Sequence, residues 1–218
     1  MRRVLVLGAG GHGQVVADIL LAAYRRGAAE VPVGFLDDDE RLHGATVLGL
    51  PVLGPIAGWR QVEHEGAVLA IGDNATRRRL FLALQGQGMR FVSAVHPAAI
   101  LAGEVRLGLG IAVCAGVVVN TGSAVADGAI LNTGCTVDHH SRVGAFAHVA
   151  PGAHLGGNVT VGEGALVGIG SAVSRGLHVG EWAVLGAGSA VTRDVPARCL
   201  AAGVPARVIR QAPETRDD

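Results

Sequence analysis

Aromatic side chains are scarce in this chain of 218 residues, making up only 3% of it. Net charge is absent as well, because eighteen Lys and Arg residues balance eighteen Asp and Glu residues. A neutral balance gives no basic surface of the kind that nucleic-acid binding requires. The composition therefore argues against a nucleic-acid partner and favours a small-molecule one.

Cysteine is also rare, with three residues at Cys114, Cys135 and Cys199. An odd number of cysteines in a chain of this length does not suit a disulfide scaffold, so we expect reduced core residues in a cytoplasmic protein. Long apolar runs are missing too, because His12 and Gln14 interrupt the apolar segment that starts with MRRVLVLG. The sequence thus predicts neither a signal peptide nor a membrane span.

The second half of the chain has a strict period of six, and each sixth residue is Val or Leu at seventeen consecutive positions. Neither a helix nor a plain strand repeats every six residues, so each hexad is predicted to be one short strand plus a corner. The aliphatic third position and the usually small first position point inward together. The pattern predicts a parallel β-helix, whose narrow interior also suits the shortage of aromatic rings. The aliphatic positions are Val95, Leu101, Leu107, Val113, Val119, Val125, Leu131, Val137, Val143, Val149, Leu155, Val161, Val167, Val173, Val179, Leu185 and Val191.

The first ninety residues alternate strands and helices instead. A buried strand is predicted over 3–7 and a helix to about Arg26, and later strands include FLDDD and AVLAIGD, with a helix from about Thr76. This order predicts a small α/β unit with a parallel sheet. We therefore predict an α/β domain over residues 1–92 and a β-helix domain over residues 93–218.

The glycine-rich turn after the first strand has the spacing G-x-G-x-x-G at Gly8, Gly10 and Gly13, and Asp37 ends the next strand. The spacing is typical of dinucleotide-binding folds, but this unit is only about half of such a fold, so NAD binding is a weak interpretation. The free N–H groups at the start of the helix favour an anion or a sugar hydroxyl. The glycines could also serve only to make a tight turn.

Three consecutive arginines, Arg77, Arg78 and Arg79, lie near the start of the second predicted helix. They could neutralise the charge of a diphosphate. A solvated helix face is the alternative interpretation of such a charge run.

The segments GAGGHG, FLDDD and IGDN, the hexads, and the stretch LNTGCTVDHHSRVGAFAHVAPGA together resemble one branch of the hexapeptide-repeat acyltransferases. That branch contains nucleotide-sugar N-acetyltransferases and the sialic acid O-acetyltransferase-like proteins. The resemblance implies a left-handed β-helix with three hexads per coil, although ordinary crossover rules favour the opposite hand. It also implies acetyl-CoA as co-substrate, no metal, and a homotrimer with active sites between subunits.

The resemblance assigns the nucleotide-linked sugar to the first domain, at loops that follow the three strands. Open α/β sheets bind ligands at the carboxyl ends of their strands, which suits this assignment. Asp37 or Asp38 would accept hydrogen bonds from the base or ribose, and His12 would lie near phosphate. Each acid could instead be a surface turn residue. The implied substrate-binding residues are Gly11, His12, Gly13, Asp37, Asp38, Gly72, Asp73 and Asn74.

The resemblance marks His139 as the general base, because the family's catalytic histidine follows an acidic residue, here Asp138. Imidazole can take a proton near neutral pH as an amine attacks a thioester. The family often has an acid directly after this histidine, whereas this chain has His140. Asp138 is the available substitute as the group that orients His139, and His140 could be merely an exposed corner residue.

His148 follows His139 by nine residues, half of an 18-residue coil, so the two should lie on different sides of one prism. A site using both would join two subunits, and the resemblance implies that His148 contacts the acetyl group or thioester oxygen. Gly157 lies one coil beyond His139, where a side chain would block the pantetheine arm. Structural roles are equally natural for glycine and alanine in hexads, and Arg207 could be a surface charge. The implied coenzyme A contacts are His148, Gly157, Gly168, Ile169, Ala187, Gly203, Pro205 and Arg207.

The function predicted from these features is acetyl-CoA-dependent N-acetylation of a nucleotide-linked deoxyamino sugar. Two alternatives stay open at this point. One is O-acetylation of a sugar hydroxyl, such as that of a sialic acid, by the same machinery. The other is a non-catalytic β-helix that serves as a trimer scaffold.

Overall fold

The computed structural model describes residues 1–211. In chain order its first elements are β1 (Arg2–Leu7), α1 (Gly11–Arg25), β2 (Glu30–Leu36), β3 (Thr46–Val47), β4 (Leu50–Pro51), β5 (Gly66–Leu69) and α2 (Asn74–Gly86). Strands β2, β1 and β5 form a parallel sheet in that order, and β3 pairs with β4 in a small antiparallel hairpin. Two short 3₁₀ helices cover Glu40–Leu42 and Ile56–Gln61.

The α/β unit buries apolar residues on both faces of its sheet. Residues 4–7 of β1 are fully buried: Val4 and Val6 share a cluster with Val16 and Leu20 of α1, and Leu5 and Leu7 belong to a second cluster that includes Phe81 of α2. All three strands run parallel, so the loops after β1, β2 and β5 leave from the same edge of the sheet. These are the three loops that the sequence analysis assigned to the substrate.

From Ala94 the chain forms seventeen two-residue strands. Each strand from β6 to β19 pairs in parallel with the strand three further along, and paired residues such as Thr136 and His154 are 18 positions apart. The strands stack into three sheets, which begin at β6, β7 and β8 respectively. In order, β6 to β22 are Ala94–Val95, Ile100–Leu101, Arg106–Leu107, Ala112–Val113, Val118–Val119, Ala124–Val125, Ile130–Leu131, Thr136–Val137, Arg142–Val143, His148–Val149, His154–Leu155, Thr160–Val161, Leu166–Val167, Ala172–Val173, His178–Val179, Val184–Leu185 and Ala190–Val191.

Two antiparallel strands, β23 (Cys199–Gly203) and β24 (Ala206–Gln211), extend the sheet that begins at β6. The predicted fold class, a small parallel α/β unit followed by a left-handed β-helix of hexapeptide repeats, is confirmed. The division into domains 1–92 and 93–218 stays a prediction. Residues 212–218 of the second domain lie outside the described residues.

The aliphatic column forms the interior of the β-helix. All fourteen Val and Leu residues of the column from Val113 to Val191 are at most 3% exposed. Each such residue contributes roughly 1.5–3 kcal/mol on burial. Small first-position residues lie beside them, as at Ser141, whose buried hydroxyl donates to the Gly156 carbonyl at 3.0 Å.

The corners place a left-handed backbone at every sixth residue, even where the hexad has no glycine. His140 and Phe146 have φ values of +58° and +56°, close to the +71° of Gly122 at the equivalent corner position. A left-handed backbone costs a residue with a Cβ roughly 1–2 kcal/mol. The stacked coils evidently impose it, because the hydrogen bonds of the neighbouring coils continue through these corners.

An aromatic cluster joins the two parts of the chain. The ring of Phe146 packs edge-on against Phe81 of α2, with 5.3 Å between ring centres, and Phe81 stacks on Phe91 at 4.1 Å. All three rings are nearly fully buried. The cluster holds α2 on the β-helix and so fixes the loop that precedes α2 beside β15.

Candidate active site

His139 is exposed on the corner between β13 and β14. Its Nδ1 lies 3.0 Å from Nδ1 of His140, and within residues 1–211 no hydrogen bond occupies its Nε2. A Cβ at Gly157, one coil further on, would come within 2.5 Å of both Cε1 and Nε2 of the His139 ring. The absence of a side chain at Gly157 therefore makes room for the imidazole itself, in addition to any space it leaves for a substrate.

Asp138 holds the main chain of this corner. Its Oδ1 accepts hydrogen bonds from the side-chain amide of Asn120 at 2.7 Å and from the main-chain N–H of His139 at 2.8 Å. These two bonds, the Asn120 bond first, lower the pKa of the Asp138 carboxyl. The ring of His139 has His140 as its hydrogen-bond partner, so Asp138 acts on His139 through the backbone.

His148 lies on β15, in the sheet that begins at β6, and therefore on a different side of the prism from the His139 corner. Its Nε2 is 3.0 Å from the side-chain amide of Asn132, and its ring also interacts with the main chain of Gly72. Burial, together with the smaller effect of the charge of Arg77, lowers the pKa of His148 to about 4. At neutral pH this imidazole is uncharged, so its Nε2 accepts the N–H of Asn132.

His12 in the first turn of α1 lies beside His148, with 6.4 Å between the ring centres. Burial, together with the smaller effect of the charge of Arg77, lowers the pKa of His12 to about 4. Its Nε2 is buried, and no atom of residues 1–211 forms a hydrogen bond with it. Buried polar atoms are nearly always paired, so this nitrogen needs a partner from solvent or from a ligand.

The glycines of the first loop divide into two roles. A Cβ at Gly13 would collide with the carbonyl oxygen of Gly8, and Gly8 itself has a φ of +109°. Gly8 and Gly13 therefore make the tight turn from β1 to α1, which is the role predicted from the sequence as the alternative to ligand binding. Gly10 and Gly11 face open space, and no side chain caps the first N–H groups of α1. The start of α1 is thus open to an anion or a hydroxyl.

The loop before α2 is held by its own polar residues. Oδ1 of Asp73 accepts the N–H of Thr76 at 2.8 Å, which caps α2 and lowers the pKa of Asp73. The side-chain amide of Asn74 donates to the carbonyl of Gly164 in the β-helix at 3.0 Å. These bonds fix Gly72, which is exposed, against His148.

Arg77 is 1% exposed, so neither interpretation of the three arginines is right for it. Burial lowers its pKa to about 10, which still leaves it charged at neutral pH. Arg78 lies at the surface and pairs with Glu163 at 2.8 Å. The guanidinium of Arg77 uses all of its donors on oxygens of this chain, namely Gly128 O, Ile71 O, Gly72 O, Asn74 Oδ1 and Phe146 O.

The two acids after β2 have main-chain partners. Asp37 accepts the N–H of Ala9 at 2.6 Å with one oxygen and the N–H of Asp39 at 2.8 Å with the other. Asp38, which is exposed, accepts the N–H of Ile56 at 2.9 Å. Asp37 thereby ties the loop after β2 to the loop after β1, and a role of either acid towards a nucleotide stays a prediction.

The remaining predicted coenzyme A contacts lie towards the C-terminal end of the β-helix. Gly168 is buried, and a Cβ there would collide with the Leu185 carbonyl oxygen, so coil stacking alone requires glycine. Ile169 is 61% exposed, and Ala187 is exposed one coil further on. Three further exposed residues belong to the final hairpin, Gly203, Pro205 and Arg207. Together they form an exposed strip, and its role towards coenzyme A is untested.

Two residues of this arrangement, Asn120 and Asn132, had no predicted role, and for Arg77 the predicted roles did not include the buried junction that it forms. Both asparagines occupy the fourth position of their hexads, as Asp138 does in its own. Asn120 also precedes Asp138 by 18 residues, which is one coil. Counting by coils along the fourth position could therefore have found the Asn120–Asp138 pair.

Comparison with known proteins gives the family. A family model described as the PglD N-terminal domain matches residues 3–84. PerB from Caulobacter crescentus is 40% identical, with coverage of 94% of this chain and 96% of that chain and a TM-score of 0.87. The acetyltransferase domain of PglB from Neisseria gonorrhoeae is 34% identical, with coverage of 96% and 100% and a TM-score of 0.87. The chain belongs to the hexapeptide-repeat sugar acetyltransferases.

A third similar structure is a variant of GDP-perosamine N-acetyl transferase from Caulobacter crescentus, 38% identical over 95% of this chain and 97% of that chain, with a TM-score of 0.88. Membership of the hexapeptide-repeat sugar acetyltransferases confirms the predicted enzyme class and argues against the non-catalytic scaffold. Neither helix found among residues 1–211 has the length and apolar character needed to cross a bilayer.

Proposed function

We propose that the protein transfers the acetyl group of acetyl-CoA to the amino group of a nucleotide-linked deoxyamino sugar. The observation that carries the proposal is the likeness of the whole chain to PerB, which was crystallised in complex with CoA and GDP-perosamine. The likeness covers 94% of this chain, so it includes both the α/β unit and the β-helix. A GDP-linked amino sugar is therefore the first acceptor to test.

In the proposed reaction the sugar amine attacks the thioester carbonyl, a C–N bond forms and the C–S bond breaks. Nε2 of His139 takes the proton that the nitrogen loses, and this proton then passes to the departing sulfur. The role is supported by the exposed ring and by its Nε2, which has no hydrogen bond to any part of the chain that the structure describes. General-base catalysis of this kind contributes about 10²–10⁴-fold to a rate.

The α/β unit would hold the nucleotide-linked sugar at the open start of α1. The first N–H groups of α1 have no side-chain cap, and the buried Nε2 of His12 has no partner among residues 1–211. A diphosphate oxygen would accept hydrogen bonds from both. Asp37 and Asp38 follow β2 and Gly72 follows β5, the strands on either side of β1, and the rest of the nucleotide would be bound at these carboxyl ends.

Acetyl-CoA would lie along the exposed strip that includes Ile169 and Ala187. The exposed apolar side chain of Ile169 suits the extended pantetheine arm. Arg207 of the final hairpin could bind phosphate. The pantetheine arm would have to reach a His139 ring. Within one chain, His139 lies on a different corner of the prism from Ile169 and Ala187.

We therefore also propose a homotrimer in which two neighbouring chains complete each site. The support is that His139 and His148 lie on different sides of one prism, so a site using both needs the His139 corner of a second copy. Light scattering should give three times the chain mass. Mixing an inactive His139→Ala chain with an inactive chain altered at the His12 loop should then restore activity, because some sites receive both intact halves.

A direct assay tests the reaction itself. Release of CoA thiol would be measured with GDP-, UDP- and dTDP-linked amino sugars and with hydroxyl acceptors such as a sialic acid. We expect turnover with one class of nucleotide-linked amine and a loss of at least about a hundredfold in kcat for His139→Ala, with unchanged folding. Turnover with hydroxyl acceptors alone would contradict N-acetylation, and an active His139→Ala would contradict the assigned base.

A cytoplasmic location is proposed as well. Its support is that Cys114, Cys135 and Cys199 are buried and unpaired, as in proteins of reducing compartments. Fractionation of cells that express the tagged chain would test it.

A further inference from the structure

The residue after His139 is the place where this chain departs from the pattern of its family. Instead of a carboxylate, the ring of His140 meets the ring of His139, with 3.0 Å between their Nδ1 atoms. The rings are nearly perpendicular, at 79°, with 5.3 Å between centres.

Two imidazole nitrogens can lie 3.0 Å apart only if one carries a proton and the other offers a lone pair. Nε2 of His139 must be unprotonated to act as a base, so its single proton must be on Nδ1. Nδ1 of His140 is then the acceptor. Among residues 1–211 the carboxylate of Asp138 forms no hydrogen bond with the His139 ring, and its Oδ1 accepts the N–H groups of the Asn120 amide and the His139 main chain.

The corner holds His140 in this position. Its φ of +58° turns the side chain back along the corner, and its N–H donates to the carbonyl of Thr121 at 3.0 Å. Its ring lies over Gly122, where a Cβ would be 2.7 Å from Cδ2 of His140. The missing side chain at Gly122 thus makes room for this ring, as Gly157 does for His139.

We propose that His140 is the positioning residue of the reaction: it accepts the Nδ1–H of His139 and so keeps the Nε2 lone pair of His139 directed at the acceptor amine. The inference rests on the proposed role of His139 as the base. It assigns to a neutral imidazole the task that the resemblance described under Sequence analysis would give to an acid.

A neutral acceptor has a different pH dependence from a charged one. When both rings are protonated, two N–H groups face each other and the contact is lost. A carboxylate in place of His140 would instead stabilise a protonated His139. The other charged groups around the pair are Asp138 on the same corner, Glu104, which bonds Thr121 at 3.2 Å, and Arg175 on the coil beyond Gly157.

Three substitutions separate these effects, since the backbone at His140 is left-handed and tolerates Gly, Asn and Asp best. His140→Gly removes the acceptor and should lower kcat about thirtyfold, with KM changed less than about threefold, since only part of the general-base contribution is lost. His140→Asn keeps a neutral acceptor oxygen near the position of Nδ1 and should restore activity to within about threefold. His140→Asp should keep activity and move the acidic limb of the kcat profile to higher pH.

The matched control is Asn158→Gly, because Asn158 has the same left-handed corner one coil further on, with a φ of +59°. It should leave kcat unchanged. Nitrogen-15 spectra of the histidine rings provide a second readout, in which His139 carries its proton on Nδ1 in the natural chain and shifts to the Nε2–H form in His140→Gly. Unchanged kcat in His140→Gly alongside an inactive His139→Ala overturns the positioning role alone, whereas an active His139→Ala overturns the proposed base as well.

Discussion

Replacing Gly157 by alanine should disable the reaction while leaving the fold intact. The new Cβ would lie 2.5 Å from Cε1 and Nε2 of His139 and 3.0 Å from Cδ2. Ordinary van der Waals contact needs about 3.4–4 Å, so the ring must move away by about 1 Å. A displacement of that size in a catalytic group costs about a hundredfold in rate, or about 2.7 kcal/mol in the barrier.

The fold should tolerate this change, because the backbone at Gly157 is not left-handed and the clashing atoms belong to an exposed side chain that can turn. The assay is release of CoA thiol, with the melting temperature measured in parallel. Gly103→Ala is the matched control: Gly103 occupies the same corner position three coils before Gly157, and no atom lies within 4 Å of its added Cβ. A Gly157→Ala enzyme with kcat within about threefold of the natural chain, and a crystal structure with the His139 ring unmoved, would falsify the reasoning.

Three further predictions concern stability. Folding lowers the pKa of His12 and of His148 from 6.5 to about 4. The free energy of unfolding should therefore be highest above pH 6.5 and should decrease towards pH 4, by on the order of 3 kcal/mol per ring. Urea unfolding across this range should show the decrease, and the His12→Gln, His148→Gln double variant should lack most of it. Arg77→Met should cost about 3–5 kcal/mol, since it strands several buried oxygens, whereas Arg78→Met should change the unfolding free energy by less than about 1 kcal/mol. Asp37→Asn should lower the free energy of unfolding by about 1–3 kcal/mol, because the new amide NH₂ would face the main-chain N–H of either Ala9 or Asp39, each of which now donates to a carboxylate oxygen. An unchanged melting temperature would contradict this prediction.

The β-helix could be predicted in detail because its contacts repeat along the chain. Each strand pairs with the strand 18 residues later, so the hexad period already contains the register of Thr136 on His154. Its inward residues, such as Val149 and Val167, are buried as the period requires. No contact between distant parts of the sequence has to be known for this result.

Arg77 shows where prediction from the sequence ends. Three consecutive arginines in a helix cannot be told apart from the sequence. Which of them is buried depends on how α2 packs against the β-helix, and the buried one is Arg77. The partners Gly128 and Phe146 are 51 and 69 residues away, so their approach depends on how α2 docks on the β-helix. The proximity of His12 and His148 likewise could not be predicted, because it depends on how the α/β unit packs against the β-helix.

The pair of His139 and His140 is a smaller example. Adjacent side chains of an extended strand point to opposite faces, so the sequence alone gave no reason to expect ring contact. The left-handed corner at His140 reverses that expectation and brings the two Nδ1 atoms together.

The sequence by itself determined the column, its period and the histidine at its corner, because these depend on residues within one or two coils. Only the tertiary structure decided which nitrogen faces which partner, which arginine is buried, and which side of the prism receives the α/β unit. Those outcomes depend on the angles at which separate elements pack, and no local pattern encodes them.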